Sequence, residues 1–473
     1  MKLYGFGLFL LLLVFGCKFD NNQVNDNYAY LGGEIINPND NVVILSQAGQ
    51  VIDTITLDYR NRFLHKIENL NAGLYTFLHG GEIQMVFLEP KDSLLFRLNT
   101  LEFDESLVFT GIGDNKNNYL IREFLENETQ EKKIFKYCQL DPDQYENEID
   151  SIKSLKIKRF NNFKNRYEVS ALFEDLALAN INYNYYSSKE VYPFVHYGYN
   201  KAEILNSLPK DFYNYRKEVN YNDTLLKDYH YYNSFLRYSL NNLALQEHID
   251  HHEDTVFNRR SLCFNIDLMK LTDSLVSNVN IKNELLHHFA LNYLSKSPNT
   301  EANSAILNTY LILSSNEKGK EMMKNFTSSL NALEVGAPFP DLEVVNYNNE
   351  TIALNSLFNK PTVICFWSDV FFEHFKKSHY LLKDLKSKYP EVNFLSINID
   401  NYGIDKAKKS LRANGFPTTD EYQFRRPTKA YETLAIRPMT KAFIVDKNNK
   451  IANNHTNIFS SNFEQQLLGV LNR

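Results

Sequence analysis

The sequence predicts an α+β multidomain protein with an N-terminal β-sandwich, a central all-α region and a C-terminal α/β domain. Three observations carry this prediction. Short apolar runs separated by turn residues fill positions 28–115. Leucine and phenylalanine recur at helical spacing over 116–333, and strand-like and helix-like segments then alternate over 334–473. A length of 473 residues suits two or three domains, and 43% apolar residues suffice for their cores.

The first 16 residues are interpreted as a signal peptide. Lys2 precedes the apolar run Leu3–Phe15, which is too short to be retained as a membrane-spanning helix. The run ends in Leu-Val-Phe-Gly before Cys17 and resembles a lipobox, so Cys17 is predicted to be acylated and to begin the mature chain. An ordinary signal peptide with a chance cysteine is the alternative. The polar residues 17–27 are predicted to be a lipidated tether.

The region 28–115 is predicted to be a β-sandwich because its apolar runs are short and regularly spaced. The four runs are Val42–Leu45, Val51–Ile55, Tyr75–Leu78 and Leu94–Leu98. The pattern ends in Phe-Thr-Gly-Ile-Gly-Asp-Asn-Lys-Asn-Asn over 109–118. It resembles the DUF4369-like β-domain that precedes thioredoxin modules in lipoproteins of Bacteroidetes.

The region 116–333 is predicted to be helical. Apolar residues share faces at helical spacing, as in the pair Leu120 and Phe124 and the pair Leu236 and Leu240. A helical region of this kind offers a scaffold or a binding surface, and its sequence identifies no ligand.

One histidine cluster in this region was weighed as a metal site. On a helix, His248 and His252 share a face, as a metal-binding pair would. The neighbours Asp250, Glu253 and Asp254 instead indicate a solvated, charged stretch, and the sequence identifies no third, distant ligand. We therefore predict no metal and no cofactor.

The C-terminal domain begins near Glu334, and limited proteolysis is expected to cut there or in the tether before Tyr28. The apolar run Val363–Trp367 is predicted to be a buried strand, and an amphipathic helix follows it to about residue 388. Further segments are predicted as a strand over 392–398, a helix over 404–413, a strand over 442–445 and a helix over 462–471. This order, with Gly336 and Pro340 at its start, resembles the TlpA/ResA-type thioredoxin domain of bacterial envelope proteins.

The resemblance places the redox site of that family on residues that lack its chemistry. When Phe366-Trp367 is laid on the family's Phe-Trp, Val370 replaces a second tryptophan. Phe371 and His374 then replace the two redox cysteines. When Phe443 is laid on the phenylalanine that follows the family's cis-proline, Thr440 stands at the proline position, and we expect a trans peptide there. Pro438, two residues earlier, serves only if the loop is shifted.

Thiol–disulfide exchange needs a thiolate and a second, resolving thiol. The remaining cysteine of the central strand, Cys365, is expected to be a buried apolar side chain. Cys17, Cys138 and Cys263 are too widely spaced to form a dithiol or a metal motif. Neither position of the family's cysteine pair therefore carries a thiol.

These observations predict a non-catalytic, lipid-anchored cell-envelope protein that uses a redox-inactive thioredoxin-like domain for protein binding or as a subunit of an outer-membrane assembly. A thiol–disulfide oxidoreductase of the TlpA/ResA type is the alternative. The candidate partner-binding groove consists of Trp367, Val370, Phe371, Phe372 and Met439, for whose apolar side chains core packing is an equal alternative.

The expected partners are the membrane, through the lipid anchor, and another envelope or outer-membrane protein. A net charge of −6 and the lack of a long basic stretch argue against nucleic acid. The predicted location is the outer membrane, facing the periplasm, with the cell surface as the alternative.

Overall fold

The computed structural model describes residues 27–198, 200–251, 256–297 and 299–472. Cys17 lies outside the described residues, so the lipid anchor stays a prediction. Of the helices within the described ranges, none is both long enough and apolar enough to cross a membrane.

The chain forms two compact units. The first contains the described residues up to Gln47 together with Val51–Phe77 and Gln84–Ile121. The second contains the chain from Arg122 onward, and the turns Ala48–Gln50 and Leu78–Ile83 are grouped with it. The second unit therefore contains the C-terminal sheet and the helical region from Arg122 onward.

The described residues from Tyr28 to Ile112 form two four-stranded sheets. Their strands are β1 (Tyr28–Ile36), β2 (Val42–Gln47), β3 (Gln50–Thr56), β4 (Arg62–Glu68), β5 (Gly73–His79), β6 (Glu82–Leu88), β7 (Ser93–Asn99) and β8 (Val108–Ile112). The strand orders are β4-β1-β7-β8 and β3-β2-β5-β6. Along β7, buried Leu94, Phe96 and Leu98 alternate with exposed residues, as expected when one face of a sheet is covered.

The two sheets meet through aromatic side chains. Phe77 of β5 and Phe96 of β7 stack with their ring centroids 4.8 Å apart, and both are buried. Phe63 of β4 packs edge-on against Phe96 at 5.5 Å. Aromatic pairs in these geometries add to the stabilisation from buried area.

Helices fill the centre of the chain. They are α1 (Asp114–Tyr137), α2 (Pro142–Arg166), α3 (Ala171–Val195), α4 (Lys201–Asn206), α5 (His230–His251), α6 (Leu262–Leu275), α7 (Val279–Leu294), α8 (Thr300–Leu313) and α9 (Glu317–Ala332). Asn278, Asn299 and Asn316 precede α7, α8 and α9, and each side-chain oxygen accepts a backbone N–H from the first turn. These caps explain why the three helices begin where they do.

The C-terminal part of the chain forms a seven-stranded sheet with helices. The strands are β9 (Glu343–Asn346), β10 (Thr351–Ala353), β11 (Thr362–Trp367), β12 (Asn393–Asn398), β13 (Glu421–Phe424), β14 (Ala442–Val445) and β15 (Ile451–Thr456). The helices are α10 (Phe372–Lys388), α11 (Ile404–Ala413), α12 (Pro427–Thr433) and α13 (Phe463–Leu471).

The strand order of this sheet is β10-β9-β13-β12-β11-β14-β15. The strands β11, β12 and β13 are parallel, and β14 and β15 are antiparallel to their neighbours. A central parallel strand followed by a helix, and an antiparallel pair followed by the last helix, is the arrangement of the thioredoxin fold. The prediction of a thioredoxin-like fold is confirmed for this part of the chain.

The junction between α9 and the sheet is held by hydrogen bonds. Leu333 is buried, and its carbonyl accepts a hydrogen bond from the Asn454 side chain at 2.7 Å. Glu334 accepts one from the Thr300 hydroxyl at 2.6 Å, and the N–H of Gly336 donates to Ile451 at 2.7 Å. The expectation that proteases cut at Glu334 is therefore revised, because cleavage needs backbone that can leave its contacts.

Candidate functional site

The candidate site lies at the carboxyl end of β11, the central strand. All six residues of β11 are buried, and the chain then forms a single 3-10 turn over Asp369–Phe371 before α10 begins at Phe372. The Ser368 hydroxyl accepts the N–H of Val370 at 3.1 Å and fixes the start of that turn. Phe371 is the N-cap residue of α10, and His374 lies in its first turn. These are the two residues that the sequence alignment predicts at the family's cysteine positions.

Three consecutive apolar side chains at this point are exposed. The exposed fractions are 50% for Val370, 52% for Phe371 and 44% for Phe372. Met439, on the loop before β14, is half-buried. Adjacent exposed apolar side chains indicate an interaction surface, whereas single apolar side chains scattered over a protein surface are normal.

One member of the predicted groove is placed wrongly. Trp367 is fully buried, with its ring centroid 4.7 Å from that of Phe375 and 5.4 Å from that of His379. The reason is its position on a strand that is covered on both faces, where the largest side chain packs beneath α10. Trp367 therefore belongs to the core and not to a binding surface.

The loop before β14 contains a cis proline, Pro438, which the sequence analysis left open for a shifted loop. The peptide Arg437–Pro438 is cis, and Met439–Thr440 is not among the cis peptides of the described residues. The N–H of Lys441 donates to the Pro438 carbonyl at 2.9 Å, which closes a turn between the proline and β14. The trans peptide expected at Met439–Thr440 is confirmed.

The central-strand thiol is inaccessible. Cys365 is 4% exposed, and burial raises the pKa of its thiol to about 12. A thiol with this pKa is almost entirely protonated at neutral pH and is a poor nucleophile. The expectation that Cys365 is buried is confirmed.

His374 is the residue that the sequence alignment predicts at the family's second cysteine position. Its ring lies 5.5 Å from the ring of Phe459, and it is half-buried. Burial lowers the pKa of His374 below its usual 6.5, so the imidazole is neutral at neutral pH. Its Nδ1 has no hydrogen-bond partner among the described residues.

A network of acids and hydroxyls holds the turn in place. Asp400 accepts hydrogen bonds from the Ser368 hydroxyl at 2.5 Å and from the backbone N–H of Asp369 at 2.8 Å. Asp369 in turn accepts from the hydroxyls of Tyr402 at 2.5 Å and Ser410 at 2.9 Å. Burial raises the pKa of Asp369 above its usual value. The sequence analysis missed this network, because Asp400, Tyr402 and Ser410 are distant in sequence and carry no motif.

A second buried polar group lies under α10. His379 Nδ1 donates to the Phe375 carbonyl at 2.7 Å. Its Nε2 faces Glu421 at 3.3 Å and the Ser396 hydroxyl at 3.5 Å. Burial raises the pKa of Glu421. All three polar side chains are buried, so this His–Glu–Ser group has no access for a substrate and serves packing.

Comparisons with known proteins were made for the whole chain. No protein-family model matches it, and no curated protein matches it. Solved structures similar to part of it include a thioredoxin-like protein from Bacteroides caccae, with 14% identity over 53% of this chain and 89% of that chain and a TM-score of 0.32. A second is the thioredoxin domain of a thiol-disulfide oxidoreductase from Bacteroides vulgatus. It has 16% identity over 29% of this chain and 98% of that chain, with a TM-score of 0.26.

A third is a thiol:disulfide interchange protein from Bacteroides sp., with 15% identity over 26% of this chain and 80% of that chain and a TM-score of 0.23. The assignment of the fold rests on the strand order and strand directions given above. The exposed side chains of the site are apolar, and the polar side chains beneath them are hydrogen-bonded or buried.

Proposed function

We propose that this chain is a non-catalytic, lipid-anchored protein of the bacterial cell envelope whose thioredoxin-like domain binds another protein and does not exchange disulfides. One observation carries the proposal. Val370, Phe371 and Phe372 are exposed at the helix N-terminus where the family resemblance places a thiol pair, whereas the cysteine of the central strand is 4% exposed. Exposed aromatic side chains on a fixed scaffold favour contact with a polypeptide.

The remaining parts of the proposal rest on the sequence. The two N-terminal sheets are assigned to a DUF4369-like domain over 28–115, followed by helices over 116–333 and the thioredoxin-like domain over 334–473. Cys17 is the lipid attachment site. The partner is an envelope or outer-membrane protein, and the chain acts as a subunit of an outer-membrane assembly that faces the periplasm.

The catalytic part of the proposal is tested by insulin reduction with dithiothreitol as electron donor. The chain is expected to reduce insulin no faster than the uncatalysed rate, because Phe371 and His374 supply neither a nucleophilic nor a resolving thiol. The matched variant Phe371→Cys/His374→Cys places two thiols at the N-terminus of α10, where the helix dipole lowers a thiol pKa. This variant is expected to reduce insulin faster than the unmodified chain does.

One result supports the alternative, a TlpA/ResA-type oxidoreductase. Insulin turnover by the unmodified chain that disappears in Cys365→Ala would show that the buried thiol reaches substrate, and it would overturn the proposal.

The binding part is tested by affinity purification of the lipidated protein from membranes, followed by mass spectrometry. The variant Phe371→Asp/Phe372→Asp is expected to lose an outer-membrane protein that the unmodified chain retains. Phe135→Asp is the matched control, because Phe135 is exposed to a similar extent, at 40%, on α1. An identical set of captured proteins from all three chains contradicts binding at this surface.

The anchor is tested by Cys17→Ser, which is expected to move the protein from washed membranes into the soluble fraction. Retention on the membrane would show that another feature holds the chain there. Protease treatment of intact cells then separates a periplasmic from a surface location, since only a surface protein is digested.

A further inference from the structure

A cluster of three side chains in the helical region has the chemistry of a metal site. His248 lies in the last turns of α5, and Cys263 and Asp267 lie in the first turns of α6. Cys263 and Asp267 are four residues apart, so they share one face of α6. The potential ligand atoms of the three side chains all lie within 4.8 Å of one another.

Two distances within this cluster, both to Asp267, match those between neighbouring ligands of a tetrahedral ion. His248 Nδ1 lies 3.4 Å from Asp267 Oδ2, and Cys263 Sγ lies 3.6 Å from the same oxygen. Tetrahedral geometry at the usual zinc–nitrogen, zinc–oxygen and zinc–sulfur bond lengths separates N from O by about 3.4 Å and S from O by about 3.6 Å. In the chain without an ion, Asp267 Oδ2 pairs with His248 Nδ1 and accepts a hydrogen bond from the Cys263 thiol at these same distances.

The surroundings of the cluster orient the histidine. His248 is 3% exposed, and its ring lies 5.9 Å from that of Phe264 and 6.4 Å from that of Phe257 in edge-on contacts. Cys263 and Asp267 are half-buried, which leaves a path from solvent. The phenylalanine rings therefore pack against His248, and the half-buried Cys263 and Asp267 leave the site accessible to an ion from water.

We propose that His248, Cys263 and Asp267 bind a divalent transition metal ion of the zinc type. Imidazole nitrogen, thiolate sulfur and carboxylate oxygen are the three ligand types that zinc takes in proteins. Binding displaces the thiol proton of Cys263 to solvent and leaves the ion with at least one coordination position for a fourth ligand. The ion links the end of α5 to the start of α6 and so fixes two helices of the central region.

The site is tested on the full mature chain after removal of metals with a chelator. Titration with cobalt(II) is expected to give the near-ultraviolet charge-transfer band of a thiolate–cobalt bond, and zinc(II) is expected to remove it. Cys263→Ser is expected to abolish this band. Asp267→Asn is expected to weaken zinc binding about tenfold or more in competition with a chromophoric chelator, because it replaces a charged ligand with a neutral one.

Asp273→Asn is the matched control, because Asp273 lies on the same helix outside the cluster and pairs with Lys282 at 2.8 Å. Its zinc affinity is expected to stay within about twofold of that of the unmodified chain. A cobalt complex without the thiolate band, or zinc affinities that are equal in the unmodified chain and in Asp267→Asn, would overturn the proposal.

Circular dichroism of each variant establishes that it is folded. If Cys263→Ser does not fold, the decision rests on the cobalt band of the unmodified chain and on Asp267→Asn.

Discussion

Replacement of Lys441 by methionine is expected to remove a loss of stability that the C-terminal sheet undergoes as the pH falls. Lys441 is 5% exposed, and its Nζ donates to the carbonyls of Leu434 at 3.0 Å and Ala435 at 3.1 Å. Burial lowers the pKa of the ammonium group from 10.5 to about 7, because the charged form loses its hydration. Methionine fills a similar volume and does not titrate.

The sign follows from the proton balance. Between pH 7 and 10.5 the folded chain has released the proton of Lys441 and the unfolded chain still holds it. Folding then becomes more favourable as the pH rises, and the contribution grows by about 2 kcal/mol from about pH 7 to about pH 9. The free energy of unfolding of the unmodified chain, minus that of Lys441→Met, is expected to rise by this amount over the same interval.

The measurement uses the fluorescence of Trp367, the single tryptophan, which is fully buried in this sheet. Denaturant unfolding is followed at several pH values for the unmodified chain, Lys441→Met and the control Lys324→Met, whose side chain is exposed on α9. The control is expected to keep the pH dependence of the unmodified chain. A difference between the unmodified chain and Lys441→Met that is constant from pH 7 to 9 would refute a neutral buried lysine.

Three further predictions concern stability and cleavage. Arg216→Met is expected to cost about 3–5 kcal/mol by chemical unfolding. It leaves the Glu190 carboxylate, which is 0% exposed and accepts hydrogen bonds from Arg216 at 2.9 Å and 2.5 Å, without its cationic partner. The double variant Glu190→Leu/Arg216→Met should lose less, and an equal loss contradicts the argument. Phe77→Ala is expected to cost about 3–5 kcal/mol through the cavity left against Phe96, and a loss below that of Phe77→Leu contradicts it. Limited proteolysis is expected to spare Glu334, and early cleavage there would show that the junction opens.

Segments with one clear pattern could be predicted from the sequence. The helix over Ile404–Ala413 and the strand over Ala442–Val445 have the predicted bounds, because polar residues flank each apolar pattern. The strand β13 was missed because Glu421 and Gln423 are polar yet buried. Their burial depends on partners elsewhere in the chain, such as His379 for Glu421, and no local pattern records those partners.

The sequence identified where in the chain the site lies, but not which of its side chains are exposed. The two residues that the alignment selected, Phe371 and His374, lie at the start of α10. The sequence analysis assigned Trp367 to the groove. A strand that is buried along its whole length has the same residue types as a strand whose last residue is exposed, so the sequence does not distinguish the two. The sequence analysis considered His248 together with His252 and predicted no metal. It did not connect His248 with Cys263 and Asp267, because only the packing of α5 on α6 brings these residues together.

The geometry of the turn decides what the proposed binding surface depends on. The N-terminus of a helix favours a thiolate, but Phe371 has no proton to lose, so this electrostatic effect has no group to act on. What remains is the fixed position of two aromatic side chains, held by the hydrogen bonds from Ser368 and Asp369 to Asp400. Capture of the partner is therefore expected to be equal with and without dithiothreitol and to weaken in Asp400→Ala, which removes those acceptors while the aromatic residues stay. Capture that is lost on reduction would mean that a disulfide, and not this surface, holds the partner.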